Sequence, residues 1–334
     1  MTSPAPAPSP QPSPGGGMFF FCGLLLTVVA VGLVVTATTK RQSAPDLDRA
    51  RAMVPESVKP VHPSNSTGLQ NVYRLGESLY TGSSPDEEGA FASLAWLGVK
   101  TIISVDGAPP DVETARLHGM RYVHLPITYG SVPKETLVGL VRAAKELDGP
   151  IYLHCHHGKH RGPAAAVSLW RCLDKHITNE QAVAAMKVIG TADKYQGLYD
   201  SVRDIQFPTA AELAASTSDL PELTPVPPLP KAMSEIDRMW DKVSKPVKDR
   251  TTTTISLQLN TAYDIAEQFR EASRLAEVTS EMKPGFQTIV EDLDNLAEII
   301  KSELRSPSAG SPLRAKAVAQ VKHRCDECHA RFRE

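Results

Sequence analysis

Cysteine and net charge are both scarce in this chain of 334 residues. Its five cysteines are too few and too unevenly spaced for a disulfide framework, so each needs its own explanation. The 36 basic residues are nearly balanced by 38 acidic ones, and the net charge is only −2. The chain therefore lacks the excess of positive charge that nucleic-acid binding requires, and any anion that it binds must be held at a local site.

A long uncharged run occurs near the N-terminus. Residues 1–17 are rich in proline and glycine and are expected to form a disordered tail. Residues 18–39 carry no charge and are long enough to cross a bilayer as a helix, so they predict a transmembrane anchor. The alternative is a signal peptide cleaved after Ala37. Lys40 and Arg41 favour a cytoplasmic location for the C-terminal side of the span, and residues 40–66 are predicted to be a linker.

The middle of the chain alternates strand and helix patterns. This order predicts an α/β domain over residues 67–208, with a mostly parallel central sheet flanked by helices. Residues 209–231 are rich in proline and predict a semi-rigid, extended linker. In residues 232–334 the apolar side chains recur only at helical spacing, which predicts an antiparallel bundle of four helices.

Residues 152–163 concentrate the reactive side chains of the α/β domain in the stretch YLHCHHGKHRGP. They predict either a metal site or a loop that holds phosphate. The metal interpretation is weak for this stretch alone, because Lys159 and Arg161 would repel a cation. His154 and His156 would also lie on one side of an extended chain, with Cys155 on the other.

A phosphate-binding loop gives a role to more of these residues. A strand would deliver Cys155 to a tight loop, Gly158 would permit the turn, and a helix beginning near Arg161 would direct backbone amides at one point. The helix terminus and nearby cations would favour the thiolate form of Cys155, which would attack phosphorus. Arg161 would bind two phosphoryl oxygens, and His154 would help to favour the thiolate.

The spacing C-x5-R, with the sequence GKHR inside it, resembles the loop of the atypical dual-specificity phosphatases of plants and fungi. The resemblance extends over residues 70–205. It implies a cysteine-dependent phosphatase that forms a phosphocysteine intermediate and acts on phosphorylated proteins or on inositol polyphosphates. The remaining loop residues are predicted to bind substrate: His156, His157, Gly158, Lys159, His160 and Gly162. Lys159 and His160 would add positive charge for a polyphosphorylated substrate, and the alternative is that they are solvated loop residues.

Two departures from that family concern the steps around the phosphocysteine. Gly162 stands where the wider superfamily has a serine or threonine hydroxyl that helps the thiolate to leave. The segment TYGSVPKE has no aspartate where many members carry the general acid. Asp106 and Asp111 are the predicted substitutes and Glu135 is a weaker one, while Asp111 also suits a helix N-cap.

The predicted bundle ends in the sequence CDECHARFRE. A C-x-x-C-H motif is the attachment site of c-type haem, with a redox dithiol and half of a zinc site as the alternatives. Three features favour haem: a histidine follows the second cysteine directly, no second Cys/His pair lies nearby in the sequence to complete a zinc site, and the motif lies on the last predicted helix of the bundle. The bundle with this ending resembles cytochrome c′, which implies haem attached at Cys325 and Cys328, iron bound by His329, and Arg333 near the propionates.

The haem motif also bears on the compartment and the partners. Met233 and Met239 are candidate sixth ligands, although both fit the bundle core equally well. Covalent haem attachment in bacteria takes place outside the cytoplasm, so the motif outweighs Lys40 and Arg41 and predicts a membrane-anchored periplasmic protein. Its expected partners are a phosphorylated substrate, the membrane and a redox partner. The alternative is a haem-based electron-transfer or sensor protein whose phosphatase-like domain only binds phosphate.

Overall fold

The computed structural model describes residues 44–62, 68–216, 219–246, 249–305 and 312–332. The predicted N-terminal tail, the predicted membrane span at residues 18–39 and Arg333 lie outside these ranges. Within them, none of the helices combines the length and the apolar character needed to cross a bilayer.

Eighteen elements occur in the described ranges. The strands are β1 (Val58–Pro60), β2 (Tyr73–Leu75), β3 (Leu79–Gly82), β4 (Thr101–Ser104), β5 (Arg121–His124) and β6 (Ile151–His154). The helices of the α/β part are α1 (Ala44–Met53), α2 (Glu88–Trp96), α3 (Val112–Leu117), α4 (Lys134–Glu146), α5 (Arg161–Leu173), α6 (Asn179–Ile189), α7 (Gln196–Arg203) and α8 (Ala210–Ala215). The bundle helices are α9 (Pro228–Ser244), α10 (Thr252–Ala272), α11 (Lys283–Glu303) and α12 (Pro312–Phe332).

The sheet has the strand order β1-β2-β3-β6-β4-β5. Strands β3, β6, β4 and β5 are parallel, as the prediction of a mostly parallel sheet expects, and β1 and β2 are added antiparallel at one edge, so the whole sheet is mixed. Strand β6 lies in the middle, with His154 opposite Gly82 on one side and Ser104 on the other. The loop after β6 therefore leaves the centre of the carboxyl edge, where α/β sheets place ligands.

Helix α5 comes directly after that loop and is buried along almost its whole length. Its sequence explains this position, because small residues at Ala164, Ala165 and Ala166 let the helix pack closely. Leu169 and Trp170 extend the same core further along the helix. Because this packing holds α5 firmly, the backbone amides of its first turn keep a fixed direction beside the loop after β6.

Both predicted linkers contain ordered structure. The predicted linker 40–66 contains α1 and β1, and Lys187 Nζ lies 2.7 Å from Asp46 Oδ2, which ties α1 to α6. In the predicted linker 209–231, the main chain runs beside β5, where His124 N donates to Pro221 O at 2.7 Å and Thr224 N donates to His124 Nδ1 at 3.1 Å. The segment is therefore attached to the sheet, because the open edge of β5 offers hydrogen-bonding groups to it.

The four-helix prediction for the C-terminal part is confirmed. Apolar side chains from α9 to α12 form one core, in which Phe269 and Phe286 meet edge to face at 5.6 Å. A buried polar network connects the end of α11 with the start of α12 and with α10. In it, Arg314 donates to Glu303 Oε2 at 3.0 Å and to Gln258 Oε1 at 2.7 Å. These partners satisfy a guanidinium that would otherwise be buried at high cost.

Candidate functional site

The loop between β6 and α5 is held by hydrogen bonds from three neighbouring segments. Val105 N donates to His154 O and Ser84 N donates to His156 O, each at 2.9 Å. The Asn71 side chain donates to Gly158 O at 2.8 Å. Cys155 is buried at the base of the loop, and Arg161 opens α5. The sequence does not predict the role of Asn71, because a single asparagine before a strand gives no local sign of a contact with Gly158, 87 residues further along the chain.

Gly158 is required by the shape of this loop. Its φ is +66°, a conformation that strains residues with a Cβ. A Cβ there would lie 2.2 Å from the carbonyl carbon of Gly82 and 2.5 Å from Ser83 N. The loop thus touches the end of β3, and only glycine permits that approach.

Gly162 has a comparable role on the other side of Cys155. A Cβ at this position would lie 3.0 Å from Cys155 N and 3.3 Å from Cys155 Sγ. The first turn of α5 therefore closes tightly on the candidate nucleophile. A side chain here would have to displace Cys155 by a few tenths of an ångström, which gives the departure noted at Gly162 a steric reason.

Arg161 is paired with Asp106, which lies just beyond the end of β4. Arg161 Nη2 donates to Asp106 Oδ1 at 3.2 Å, and the Tyr129 ring centre lies 4.5 Å from the guanidinium carbon. Burial works against both charges, yet Arg161, with Arg238, holds the pKa of Asp106 well below its ordinary value. Asp106 and Tyr129 likewise raise the pKa of Arg161 against its burial. The pair is therefore ionised, and the guanidinium is oriented before any anion arrives.

The three predicted acids occupy different positions. Asp106 is buried beside Arg161 and is ionised, which does not suit a proton donor. Asp111 is the N-cap of α3: its side chain accepts from Thr114 N at 3.0 Å and from Thr114 Oγ1 at 2.7 Å, as the N-cap interpretation predicts. Glu135 lies exposed on the first turn of α4. Their catalytic roles stay predictions.

His154 lies below the loop rather than in it. Its Nε2 is 2.7 Å from the Tyr122 hydroxyl, and its Nδ1 is 3.4 Å from the carbonyl oxygen of Cys155. Burial lowers the pKa of His154 to about 4, so the imidazole is neutral near pH 7. It therefore orients the main chain at Cys155 through hydrogen bonds, without a positive charge.

The low pKa of His154 predicts that the fold weakens in mild acid. Between pH 6.5 and about pH 4 the unfolded chain binds a proton at His154 that the folded chain does not, so stability rises with pH across this range. We expect this residue to contribute about 3 kcal/mol above pH 6.5, lost as the pH falls towards 4. Urea unfolding of the wild type and of His154→Gln at several pH values measures it, and equal slopes in both proteins would contradict it.

The outer loop residues point in different directions. The side chains of His156 and His157 face α9, where His157 Nε2 lies 3.3 Å from Asp241 Oδ2. Lys159 is exposed, and His160 is the N-cap residue of α5 with its ring 4.6 Å from that of Tyr195. The substrate-binding roles predicted for these side chains stay predictions, whereas their backbone amides form the loop itself.

Helix α9 of the bundle lies against this site, which the sequence does not indicate. Ser234 Oγ is 3.4 Å from Asp106 Oδ1, and Arg238 Nη2 lies 3.4 Å from Ser84 Oγ and 3.5 Å from Asp86 Oδ1. A Cβ on Gly107 would lie 3.0 Å from Ser234 Oγ, so the approach is close. One bundle helix thus adds an arginine to the surroundings of the loop.

The C-x-x-C-H motif lies in the last turns of α12. Cys325 packs against the bundle core, and burial raises the pKa of its thiol to about 12. Cys328 is half-buried and faces α11 at Gly285, where a Cβ would lie 3.9 Å from its Sγ. The two thiols and the half-buried His329 are spaced along one helix end, and a glycine leaves room beside one thiol. This donor set fits covalent attachment of haem.

The amino-acid pattern of the α/β part matches a known family. Residues 51–199 fit the family model described as PTP-NADK, a DSP-PTPase phosphatase fused to NAD+ kinase. This part of the chain is therefore similar to cysteine phosphatase domains of the dual-specificity type. Its match includes the loop, Cys155 and Arg161, and it ends within α7.

Several solved structures each resemble a little under half of the chain. The crystal structure of TpbA from P. aeruginosa is 26% identical and covers 46% of this chain and 92% of its own, with a TM-score of 0.38. A TpbA variant in complex with pTyr is 23% identical, with coverages of 48% and 98% and a TM-score of 0.37. Human DUSP28 is 18% identical, with coverages of 44% and 97% and a TM-score of 0.31. Among curated proteins, none matches the chain.

Proposed function

We propose that the chain hydrolyses phosphate esters or anhydrides through a phosphocysteine at Cys155. The observation that carries this proposal is the loop between β6 and α5, which has the buried Cys155 at its base and an oriented Arg161 at the start of α5, within residues that match a phosphatase family model. Cys155 Sγ attacks phosphorus and forms an S–P bond while the bond from phosphorus to the leaving-group oxygen breaks, and the loop amides and Arg161 bind the phosphoryl oxygens as charge develops. Water then attacks the phosphocysteine, the S–P bond breaks, and inorganic phosphate and the Cys155 thiolate are released.

Asp106 has a positioning role in this scheme. It holds the guanidinium of Arg161 in place and ionised before substrate binds, so little reorganisation is needed when phosphate arrives. His154 hydrogen-bonds the Cys155 main chain from below. Asp111, at the N-cap of α3, and Glu135, on the first turn of α4, are the remaining predicted acids.

Turnover is the direct test of this proposal. The full-length protein should release nitrophenolate and inorganic phosphate from p-nitrophenyl phosphate in equal amounts and over many turnovers. The alternative is a domain that only binds phosphate. It would be supported by saturable phosphate binding, measured by calorimetry, in a protein that releases no nitrophenolate.

Asp106 is ionised and has no proton to donate, which limits the leaving groups that the enzyme can expel. An alkoxide needs a proton as it departs, whereas nitrophenolate does not. We expect aryl phosphates to be hydrolysed much faster than alkyl phosphates. Because Asp106 positions Arg161 and donates no proton, Asp106→Asn should lower kcat/KM for both classes by a similar factor, about 10- to 100-fold.

The two substrate classes are compared in steady-state assays of wild type, Asp106→Asn and Asp111→Asn. A selective loss of alkyl phosphate hydrolysis in either variant would identify that aspartate as the general acid. Brisk alkyl hydrolysis in the wild type, unchanged in both variants, would contradict the leaving-group argument itself.

We further propose that the bundle carries covalently attached haem c, with thioethers at Cys325 and Cys328 and iron bound by His329. The positions of the three side chains on α12 support this. Met233 and Met239 of α9 both pack against the bundle core, and each stays a candidate for the sixth position. When bound, haem would supply one-electron chemistry or gas binding, for which a redox partner is expected.

Haem attachment predicts a specific optical result. Protein expressed with a cytochrome c maturation system should show a Soret band that survives acid-acetone extraction. The double variant Cys325→Ser/Cys328→Ser should lose the covalent pigment, while Cys172→Ser should keep it. A colourless wild type would contradict the assignment. We propose an exported, membrane-anchored protein for the same reason, since attachment takes place outside the cytoplasm.

A further inference from the structure

Two histidines of the catalytic loop meet two aspartates of the first bundle helix. Ligand atoms of His156, His157 and Asp237 all lie within 4.8 Å of one another. Asp241, one turn further along α9, has its Oδ2 3.3 Å from His157 Nε2 and 3.8 Å from His156 Nε2. These side chains come from segments far apart in sequence, so the cluster exists only where α9 contacts the loop.

His156 has no hydrogen-bond partner that explains its position. Its side chain is only 10% exposed, and within the described part of the chain neither ring nitrogen makes a hydrogen bond. An unsatisfied buried polar group costs about 1–3 kcal/mol, so such a group in a native fold requires an explanation. The ring of His157 stands 4.2 Å away at 65°, an arrangement that allows both rings to face one centre.

The surrounding charges favour a cation. Asp237 and Asp241 bring two negative charges to two imidazoles, and Lys245 Nζ, 2.8 Å from Asp241 Oδ2, neutralises part of them. Arg161 is engaged with Asp106 and Arg238 with Asp86, so that Lys159 is the loop cation whose charge still acts on His157. The repulsion expected from the loop sequence alone is therefore reduced.

We propose that His156, His157 and Asp237 bind a divalent transition-metal ion of the Zn²⁺ class, with Asp241 as the fourth protein ligand. Imidazole nitrogens with carboxylate oxygens suit such ions better than Ca²⁺ or Mg²⁺. Bonds of about 2.0–2.2 Å in tetrahedral geometry separate ligand atoms by about 3.3–3.5 Å. Asp241 Oδ2 lies 3.3 Å from His157 Nε2 and 3.8 Å from His156 Nε2, whereas Asp237 Oδ2 lies 3.9 Å from His157 Nδ1. Because His157 can give only one ring nitrogen to the ion, a rotation of the His157 or Asp237 side chain brings all four ligands to one centre.

The ion would join the catalytic loop to the bundle. His156 and His157 come directly after Cys155, and Asp237 precedes Arg238, which reaches Ser84 and Asp86 beside the loop. A bound ion would hold α9 over the loop and slow the access of substrate to Cys155. Binding of the ion does not rest on the proposed phosphatase activity, whereas this consequence does.

Zn²⁺ binding to the full-length protein is measured by calorimetry and by metal analysis after equilibrium dialysis. We expect one equivalent whose affinity falls by more than about 100-fold in Asp237→Asn and in His157→Ala, because a direct ligand is lost. Glu235→Gln, on the same helix and ion-paired with Lys231, is the matched control and should bind as the wild type does. Melting curves without metal establish that each variant is folded.

Two further variants separate this site from the thiols. Cys155→Ser and the double variant Cys325→Ser/Cys328→Ser should both keep the equivalent that Asp237→Asn loses. Unchanged Zn²⁺ affinity in Asp237→Asn and His157→Ala, or loss of the equivalent in Cys155→Ser, would overturn the assignment. A protein without phosphatase turnover that shows the expected binding pattern would leave the metal site standing and remove only the proposed function.

Discussion

Replacing Cys155 by serine should lower the turnover of p-nitrophenyl phosphate by at least about a thousandfold, because it removes the nucleophile that forms the intermediate. Binding of inorganic phosphate should be retained, since the loop amides and the Arg161 guanidinium are unchanged. The serine hydroxyl adds no volume at a position where α5 closes tightly on Sγ. Steady-state kinetics and phosphate calorimetry on the same preparation separate the two effects.

Cys172→Ser is the matched control for that loss. Cys172 lies on α5 and is half-buried, and burial raises the pKa of its thiol, so it is not a thiolate at neutral pH. We expect the variant to retain wild-type turnover. Equal losses of turnover in the two variants would show that the loss reflects general damage around α5 and not removal of the nucleophile. Full activity in Cys155→Ser would exclude the cysteine mechanism.

Replacing Gly158 by alanine should remove activity and also weaken the fold. The left-handed φ of +66° costs a residue with a Cβ about 1–2 kcal/mol. Contact at 2.2 Å with the Gly82 carbonyl carbon adds the cost of overpacking, about 1–3 kcal/mol, because the nearest atoms are backbone and cannot rotate away. We expect a loss of about 2–5 kcal/mol in the free energy of unfolding.

Gly119→Ala separates the two parts of that cost. Gly119 has a similar φ of +69°, but a Cβ there would meet no atom within 4 Å among the described residues. It should lose only the conformational part, about 1–2 kcal/mol, and keep its activity. Urea unfolding and phosphatase assays test both variants. Equal stability of the two proteins would contradict the contact with Gly82.

The features that could be predicted from the sequence are those with a local signal. The hairpin of β2 and β3 turns at Gly76 with a φ of +69°, and the four bundle helices match their apolar stripes. The order strand, cysteine, glycine, arginine, helix in residues 151–173 places Cys155 and Arg161 where the structure has them. Chain geometry within a few residues decides all of these, so periodicity and glycine positions were sufficient.

Contacts between residues far apart in the sequence could not be predicted. Asn71 supports Gly158 across the fold, and the pairing of Asp106 with Arg161 depends on the order of strands β4 and β6 in the sheet. The proline-rich composition around Pro221 predicts a semi-rigid, extended spacer but not its contact with the sheet, where the Pro221 carbonyl oxygen accepts from His124 N of β5. The approach of α9 to the loop depends on tertiary packing, for which no short motif exists.

Trapping of the intermediate tests the central proposal most directly. Full-length protein mixed with an aryl phosphate and quenched in acid within its first turnover should carry one phosphoryl group, detected by intact-protein mass spectrometry and located at Cys155 by peptide analysis. Cys155→Ser, quenched in the same way, should carry none. A wild-type protein that turns over substrate while no phosphoryl group is found on Cys155 would contradict the proposed mechanism.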